Sequence, residues 1–155
     1  MRHTTLVFLL RDKEILLAMK KQGFGMGKMN GVGGKVEPGE DIVVGAAREA
    51  QEEIGVTIDV YDLERVAVNT FEFQEKPEWN QECHIFFARK WKGEPVESDE
   101  MKPEWISLAA IPYEHMWADD KFWLPRALAG EKLKAHFLFT KDGVMTDTYS
   151  VETLK

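Results

Sequence analysis

The stretch that decides the fold runs from Gly34 to Val56 and reads GKVEPGEDIVVGAAREAQEEIGV. A loop with Pro38 and Gly39 leads into a segment whose apolar side chains recur at helical spacing, and Gly55 is a typical C-terminal stop. This pattern predicts a helix over residues 41–54. Three glutamates crowd near its end, although like charges at these spacings weaken a helix. The acidic end of the helix therefore needs an explanation.

On a helical wheel, with about 100° per residue, the apolar and acidic residues of this helix occupy separate arcs. The apolar arc consists of Val43, Ala46, Ala47, Ala50 and Ile54. Glu49, Glu52 and Glu53 form the acidic arc because their offsets are i, i+3 and i+4. Gly45 lies on the acidic side, where a glycine costs about 1 kcal/mol relative to alanine but leaves room beside the carboxylates.

Two interpretations of the acidic arc remain open from this geometry. It is either the solvated face of an amphipathic helix or a site for a hard divalent cation such as Mg²⁺, which prefers oxygen ligands. Few lysines flank the acids, and the basic residue within the helix is Arg48, placed for an i, i+4 pair with Glu52. A bound cation would relieve the repulsion between the glutamates.

The composition is that of an ordinary globular protein. The 155 residues are 44% hydrophobic and 30% charged, which predicts one domain over residues 1–155. A formal net charge of -7 argues against a nucleic-acid polymer as the partner. The single Cys83 excludes an intramolecular disulfide and suits the cytoplasm, and the apolar run before Arg11 is too short for a membrane span. We therefore expect a cytoplasmic monomer that does not bind membranes.

Around the helix, the pattern is mainly that of strands. Apolar runs predict six of them, at residues 4–10, 14–19, 64–73, 82–91, 134–140 and 144–151. Residues 20–35 are rich in glycine and predict a loop that passes close to another part of the chain. Residues 119–130 predict a second helix, in which Pro125 disturbs either the start or the straightness. This order predicts an α+β fold with a mixed or antiparallel sheet.

The charged residues of the opening stretch stand at a spacing that resembles the signature of the Nudix, or MutT-type, hydrolases. Gly34, Glu40 and the run REAQEEIGV at residues 48–56 match that signature, and Ala50 and Val56 fill its apolar positions. The resemblance implies the Nudix fold, in which a mixed β-sheet is sandwiched between helices. It also implies hydrolysis of a nucleoside diphosphate linked to another group.

The same resemblance implies roles for the acidic helix and the loop before it. It implies Mg²⁺ as the cofactor, with Mn²⁺ as the alternative, held by Gly33, Glu49, Glu52, Glu53 and Glu100. The catalytic set would be Arg48, Glu49, Glu52 and Glu53, in which Glu52 or Glu53 also activates water and Arg48 orients a carboxylate. Glu40 would brace the loop against the helix. Metal cations of this kind bridge phosphate oxygens and neutralise the charge that develops during hydrolysis.

Matches outside the signature extend the resemblance to the animal branch of the family, which hydrolyses oxidised purine nucleoside triphosphates. They lie at residues 19–36, 71–73, 95–112, 116–125 and 137–139. Among them, Glu100 matches an acidic residue that assists the metal site in this branch. In that branch, residues that match Asn30, Asp119 and Asp120 hydrogen-bond the purine edge. The residue that matches Lys20 lies near the sugar and phosphates. The base is enclosed by residues that match Phe24, Phe71, Phe73, Met101 and Trp117. Each of these residues alone has an ordinary use in packing, turns or helix capping, so their joint occurrence carries the prediction.

The adjacent aspartates allow a separate physical argument. Two close carboxylates in a desolvated pocket rarely both ionise, so one keeps its proton and donates a hydrogen bond. A donor and an acceptor side by side can read a purine edge. We therefore expect Asp119 and Asp120 to select 8-oxo-dGTP, with 2-hydroxy-dATP as a second candidate, over unmodified nucleotides. Two departures from the branch are Met29, where tryptophan is usual, and the connection at residues 74–83, which leaves the place of Trp79 open.

The sequence therefore predicts a Mg²⁺-dependent pyrophosphohydrolase acting on a small-molecule substrate. It would convert oxidised purine nucleoside triphosphates to the monophosphate and pyrophosphate, a sanitation of the nucleotide pool that supports DNA repair. One alternative is a Nudix hydrolase of normal or methylated nucleotides, ADP-ribose or dinucleoside polyphosphates. The other is a Nudix module that senses a nucleotide without hydrolysing it, and the complete set of Glu49, Glu52 and Glu53 argues against it.

Overall fold

The computed structural model describes residues 1–154, which form an eight-stranded sheet with two α-helices. The strands are β1 (Arg2–Arg11), β2 (Glu14–Lys20), β3 (Met29–Asn30), β4 (Leu63–Phe73), β5 (Gln81–Ala88), β6 (Met101–Ser107), β7 (Leu133–Phe139) and β8 (Met145–Thr153). The helices are α1 (Ile42–Ile54) and α2 (Asp120–Leu128). The predicted α+β class is confirmed.

The sheet is mixed because two of its strand pairs are parallel. β1 pairs with β5 and β4 pairs with β7 in parallel, whereas the other neighbours are antiparallel. The strand order is β3-β2-β1-β5-β4-β7-β8, and β6 pairs with β2. The parallel register of β1 and β5 sets Arg2 beside Gln81 and Thr4 beside Cys83. Both predicted hairpins, β1–β2 and β7–β8, are confirmed.

β6 is a strand that the sequence pattern did not predict. It contains Pro103, and a proline argues against a central strand. Within residues 1–154, β6 has β2 as its single strand neighbour. A proline is tolerated at such an edge because its missing N–H can face away from the sheet.

The two helices cover opposite faces of the sheet. α1 buries Ala46 and Ile54 in a core that includes Val7 of β1, while α2 buries Trp123 in a core that includes Phe8. Successive side chains of a strand point to opposite faces, so β1 contributes to both cores. The prediction of a sheet sandwiched between helices is confirmed. Neither helix in residues 1–154 has the length and the apolar character that a membrane crossing requires.

The glycine-rich loop before α1 runs along β1 almost as a further strand. The Thr5 N–H donates to the Gly34 carbonyl at 2.8 Å, and the Val7 N–H donates to the Val32 carbonyl at 2.6 Å. A Cβ atom at Gly33 would overlap the carbonyl of Thr5. The close approach predicted for residues 20–35 therefore occurs against β1, at a position where only glycine fits.

We expect Gly33→Ala to lower the free energy of unfolding by about 3 kcal/mol, because the added methyl group overlaps a backbone carbonyl of β1. Chemical denaturation measures the change. Gly39→Ala is the matched control, since Gly39 has a φ of +78° and open space around it, so that only about 1 kcal/mol of backbone strain applies. Equal losses in the two variants would contradict the steric explanation.

Candidate active site

Arg48 organises the acidic surface of α1. Its guanidinium donates to the two carboxylate oxygens of Glu40 at 2.8 and 3.0 Å, to Glu49 at 3.1 Å, and to Glu52 at 3.2 and 3.3 Å. It also donates to the Lys35 carbonyl at 3.2 Å. The i, i+4 pair with Glu52 that the spacing predicts is confirmed. One cation therefore holds three carboxylates and ties α1 to the loop before it.

Glu40 joins the loop to the helix through this arginine. Its carboxylate accepts hydrogen bonds from Arg48 and, at 3.0 Å, from the Glu37 N–H, and these bonds lower the pKa of Glu40 to about 2. A Cβ at Gly45 would lie 2.8 Å from a Glu40 oxygen, and a Cβ at Gly34 would lie 2.7 Å from the Glu49 carboxylate. The space that Gly45 leaves is therefore occupied by the loop residue Glu40, and the space beside Glu49 is left by Gly34.

Glu53 is the buried member of the acidic arc, with 5% of its surface exposed. One of its oxygens accepts a hydrogen bond from the Gly33 N–H at 2.7 Å. Burial is the main cause that raises the pKa of Glu53 to about 8; the charges of Glu49 and Glu100 raise it further, while the Gly33 N–H and the charge of Lys20 oppose the shift. Residues from α1, the glycine loop and the segment before β6 thus form one acidic centre.

The donor chemistry of this acidic centre suits a divalent cation. The pKa of Glu49 is also raised, first by burial and then by the charges of Glu52 and Glu100, although Arg48 opposes the shift. Carboxylates that raise one another's pKa are relieved by a cation with oxygen ligands. Among the predicted ligands, Glu53 contacts Gly33, and the charges of Glu49 and Glu100 are close enough to raise the pKa of Glu53. Glu52 stands at the exposed edge, paired with Arg48.

A different group of three potential metal ligands lies at the start of β1 and β5. The ligand atoms of His3, Glu82 and His84 lie within 4.8 Å of one another, and no other three side chains meet that measure in the part of the chain that the structure describes. His3 Nδ1 is 3.1 Å from His84 Nε2, and the ring centroids are 5.3 Å apart. The two nitrogens therefore face each other, as in an N–H···N hydrogen bond. This group could hold a metal ion, but it contains none of the acids that the sequence indicates.

A cavity of about 310 Å³ opens beside the acidic centre. Gly33 and Gly34 line one part of it, so the cavity reaches the loop that binds Glu53. Every side chain predicted to bind the substrate lines its wall, namely Lys20, Phe24, Asn30, Phe71, Phe73, Met101, Trp117, Asp119 and Asp120. The fold therefore gathers these residues, which are distant in sequence, around one space.

The two aspartates are almost fully buried, with 3% of Asp119 and 2% of Asp120 exposed. Asp119 stands at the N-cap of α2 but makes no capping hydrogen bond with its side chain. Its Oδ2 accepts from Trp123 Nε1 at 3.0 Å, and Asp120 Oδ2 accepts from the Trp117 N–H at 3.1 Å. Burial raises the pKa of Asp119 to about 6 and holds the pKa of Asp120 well above its usual range, where the charge of Asp119 adds to the shift. Helix capping therefore does not explain Asp119.

Aromatic side chains form the rim of the cavity. The ring of Phe24 lies 5.2 Å from Trp117 and 5.9 Å from Trp79, and Trp79 meets Phe73 edge-on at 5.6 Å. Trp79, whose place the sequence left open, thus packs against two rings that line the cavity. The ammonium group of Lys76 lies 3.9 Å from the centre of the Trp79 ring on another side.

The sequence interpretation missed several polar residues in the cavity wall, among them Arg2, Thr4 and Gln81. The Thr4 hydroxyl donates to Gln81 Oε1 at 2.9 Å. Alternation along β1 indicates that residues 2 and 4 share a face. The pairing of β1 with β5, which is not visible in the sequence, brings that face beside Gln81.

Comparison with known proteins agrees with this geometry. The chain is 46% identical over 135 residues to the oxidized purine nucleoside triphosphate hydrolase of Mus musculus, covering 87% of this chain and 85% of that protein. It is 43% identical over 143 residues to the protein of the same name from Danio rerio, covering 92% and 90%. The crystal structure of a mutator MutT protein from Bacillus halodurans matches with a TM-score of 0.83 at 26% identity, covering 98% of each chain. The NUDIX domain model matches residues 1–127, and the chain belongs to the Nudix family.

Proposed function

We propose that this protein hydrolyses oxidised purine nucleoside triphosphates to the monophosphate and pyrophosphate, with Mg²⁺ as the cofactor and Mn²⁺ as the alternative. The observation that carries the proposal is that one cavity joins an acidic centre suited to a divalent cation with a buried aspartate pair suited to a purine edge. Nudix hydrolases use divalent metals, and two relatives are named as oxidized purine nucleoside triphosphate hydrolases. The reaction would remove damaged nucleotides before they enter DNA.

The acidic centre would serve the phosphate end of the substrate. Glu49, Glu53 and Glu100 would hold the metal ion, with the Gly33 carbonyl and Glu52 as further ligands. The ion supplies positive charge to the phosphate oxygens and favours the hydroxide form of bound water. Arg48 holds Glu49 and Glu52 from one side, which orients both carboxylates before the substrate arrives. Glu52 or Glu53 would accept the proton of the attacking water, and Lys20 would lie near the sugar and phosphates.

The aspartate pair would serve the base. Asp119 and Asp120 each use one oxygen to accept a protein N–H, which leaves the other oxygen for a ligand. With one proton shared between them, they offer a donor and an acceptor to the purine edge. Asn30 accepts the Gly31 N–H at 2.8 Å, so its NH₂ group remains to donate. The base would be enclosed by Phe24, Phe71, Phe73, Met101 and Trp117.

We also propose that the chain acts as a one-domain monomer on free nucleotides in the cytoplasm. The domain would span residues 1–155, of which Lys155 lies outside the described residues. The net charge of -7 supports a small-molecule partner rather than a nucleic-acid polymer or an anionic membrane surface. Burial raises the pKa of the Cys83 thiol to about 12, so this cysteine is an inert packing residue that suits a reducing compartment.

A pyrophosphate-release panel with 8-oxo-dGTP, 2-hydroxy-dATP, dGTP and ADP-ribose tests the proposal in the presence of Mg²⁺. We expect kcat/KM for 8-oxo-dGTP to exceed that for dGTP by about tenfold or more, because the buried polar groups of the cavity discriminate by hydrogen bonding. Equal efficiency on the two nucleotides would refute the oxidised-purine specificity. Turnover of ADP-ribose alone would favour the alternative of another Nudix substrate.

Glu53→Gln is the catalytic control for this panel. Loss of the carboxylate should lower kcat for 8-oxo-dGTP by about 100-fold or more, whereas Glu78→Gln, a surface change of the same kind, should leave kcat unchanged. Undiminished product formation by Glu53→Gln would remove the role assigned to Glu53. If the unaltered protein releases no product from any nucleotide with Mg²⁺, the sensing module becomes the better explanation.

Asp119→Asn tests the assignment of the base-reading pair. Asparagine keeps the size of the side chain but offers neither an ionised acceptor nor an exchangeable carboxyl proton. We expect the ratio of kcat/KM for 8-oxo-dGTP over dGTP to fall by about tenfold, the effect of one unsatisfied buried hydrogen bond. Asp147→Asn, at an exposed position, should leave the ratio unchanged. An intact preference in Asp119→Asn would show that the pair does not read the base.

The aspartate pair should also make the stability of the metal-free protein depend on pH. Unfolded aspartate titrates near pH 4, whereas folded Asp119 titrates at about 6 and the pKa of Asp120 is also raised. The folded protein therefore binds more protons than the unfolded chain, and this stabilisation, complete below about pH 4, is lost as the pH rises through 6. Between pH 5 and 8, the titration of Asp119 alone lowers the free energy of unfolding by about 1 to 2 kcal/mol.

Urea unfolding at about pH 5 and pH 8 measures this loss. Asp120→Asn should reduce the difference between the two free energies, because it removes a buried carboxyl group whose pKa is raised in the folded protein. Glu53, whose raised pKa acts in the same direction, contributes equally to both proteins. The same pH dependence in Asp120→Asn and in the unaltered protein would contradict the prediction.

A further inference from the structure

Arg2 is a partly buried cation in the wall of the cavity. It lines the cavity from the start of β1. Its Nε is buried and has no hydrogen-bond partner within residues 1–154. It also takes part in none of the ion pairs found among those residues. A buried guanidinium N–H requires an acceptor, and a ligand in the cavity would supply one to the Nε of Arg2.

Gln81 adds a second donor beside Arg2. The parallel register places the two residues side by side, and Gln81 lies in turn beside Phe71 of β4. All three line the cavity. Because the Thr4 hydroxyl occupies Gln81 Oε1 at 2.9 Å, the amide NH₂ is the group of Gln81 that can serve a ligand. This part of the wall therefore offers donors, with a positive charge on one of them.

No ion pair within residues 1–154 joins Arg2 to either aspartate. The acids therefore do not neutralise the arginine. Arg2 and Gln81 line the cavity at the start of β1 and β5, and the aspartates line it at the start of α2. The two groups lie on the same cavity. Burial is the main cause that raises the pKa of the Cys83 thiol on β5, and the charges of Asp119 and Asp120 reach this thiol and add to the shift.

We propose that Arg2 and Gln81 bind the carbonyl oxygen that oxidation adds to the purine. This proposal rests on the proposed function and names how the cavity recognises its substrate class. An added carbonyl oxygen accepts two hydrogen bonds, whereas the C–H group of an unmodified purine accepts none and leaves both donors desolvated. A site that hydrogen-bonds a substrate group rejects analogues without that group. Asp119 and Asp120 would read another edge of the same base.

Phosphate oxygens share this acceptor chemistry, but other groups of the cavity suit them better. Lys20 lies close enough to the acidic centre to lower the pKa of Glu53, and Lys35 lines the cavity within the glycine loop. Arg2 instead stands in the sheet beside Gln81, which neighbours an aromatic ring of the base pocket. The position of Arg2 therefore favours the base over the phosphates.

Ligand binding without metal tests this proposal apart from catalysis. Calorimetry would give Kd values for 8-oxo-dGMP, dGMP and the phosphate-free nucleoside 8-oxo-deoxyguanosine. Arg2→Met keeps an apolar stem and removes the donors, so we expect it to weaken both oxidised ligands by about tenfold and to leave dGMP unchanged. Gln81→Met should shift the same two Kd values in the same direction. Arg11→Met, at an exposed position at the other end of β1, should change none.

Three outcomes would overturn the proposal. Equal weakening of 8-oxo-dGMP and dGMP by Arg2→Met, with the nucleoside unaffected, would assign Arg2 to the phosphates. Unchanged Kd values in both Arg2→Met and Gln81→Met would leave these residues with a structural role. A third outcome concerns the unaltered protein: if it does not bind 8-oxo-dGMP more tightly than dGMP, the proposed function fails as well. If both variants still bind 8-oxo-dGMP more tightly than dGMP, by the same factor as the unaltered protein, the role of Arg2 and Gln81 is refuted and the proposed function is not.

Discussion

The backbone contact between β1 and the glycine loop at residues 32–34 is the constraint on which both ends of the cavity depend. Gly33 lies so close to Thr5 that a side chain is excluded, and this approach aims the Gly33 N–H at Glu53. The next residue, Gly34, leaves the space that the Glu49 carboxylate occupies. The same strand places Arg2 and Thr4 in the cavity wall. A wider separation of loop and strand would disturb the acidic centre and the base pocket together.

Electrostatic cost is concentrated at the two acidic sites of the cavity. Burial raises the pKa of the carboxyl groups at both sites, and neighbouring negative charges add to the shift at Glu49, Glu53 and Asp120. Packing elsewhere holds them in place, because Arg48 fixes Glu49 from one side and Trp123 fixes Asp119 from within the core. Groups that are already oriented lose little freedom when a ligand binds. Folding therefore orients these carboxylates in advance, at an electrostatic cost, and ligand binding requires less reorganisation of them.

Local patterns predicted α1 well, because its apolar arc, its acidic arc and the stop at Gly55 are properties of adjacent residues. They failed at β6, where Pro103 masks an edge strand. The predicted base-binding residues came from a family resemblance, and all of them line the cavity. Arg2 and Gln81 were not predictable in the same way, because their proximity depends on a pairing between strands far apart in the chain. Sequence spacing describes one element at a time, and a cavity wall is made of several.

The net charge of -7 appears at first to oppose a substrate that carries a triphosphate. The cavity separates this problem into parts. At the phosphate end, the acids attract a divalent cation rather than the nucleotide itself, so metal and triphosphate would bind as complementary charges. At the base end, proton sharing reduces the negative charge that Asp119 and Asp120 present. Lys20 and Lys35, which line the cavity, add positive charge near the acidic centre and the glycine loop. The acidic surface therefore repels polymeric nucleic acid, whereas a metal ion held by the acidic centre would attract the phosphates of a single nucleotide.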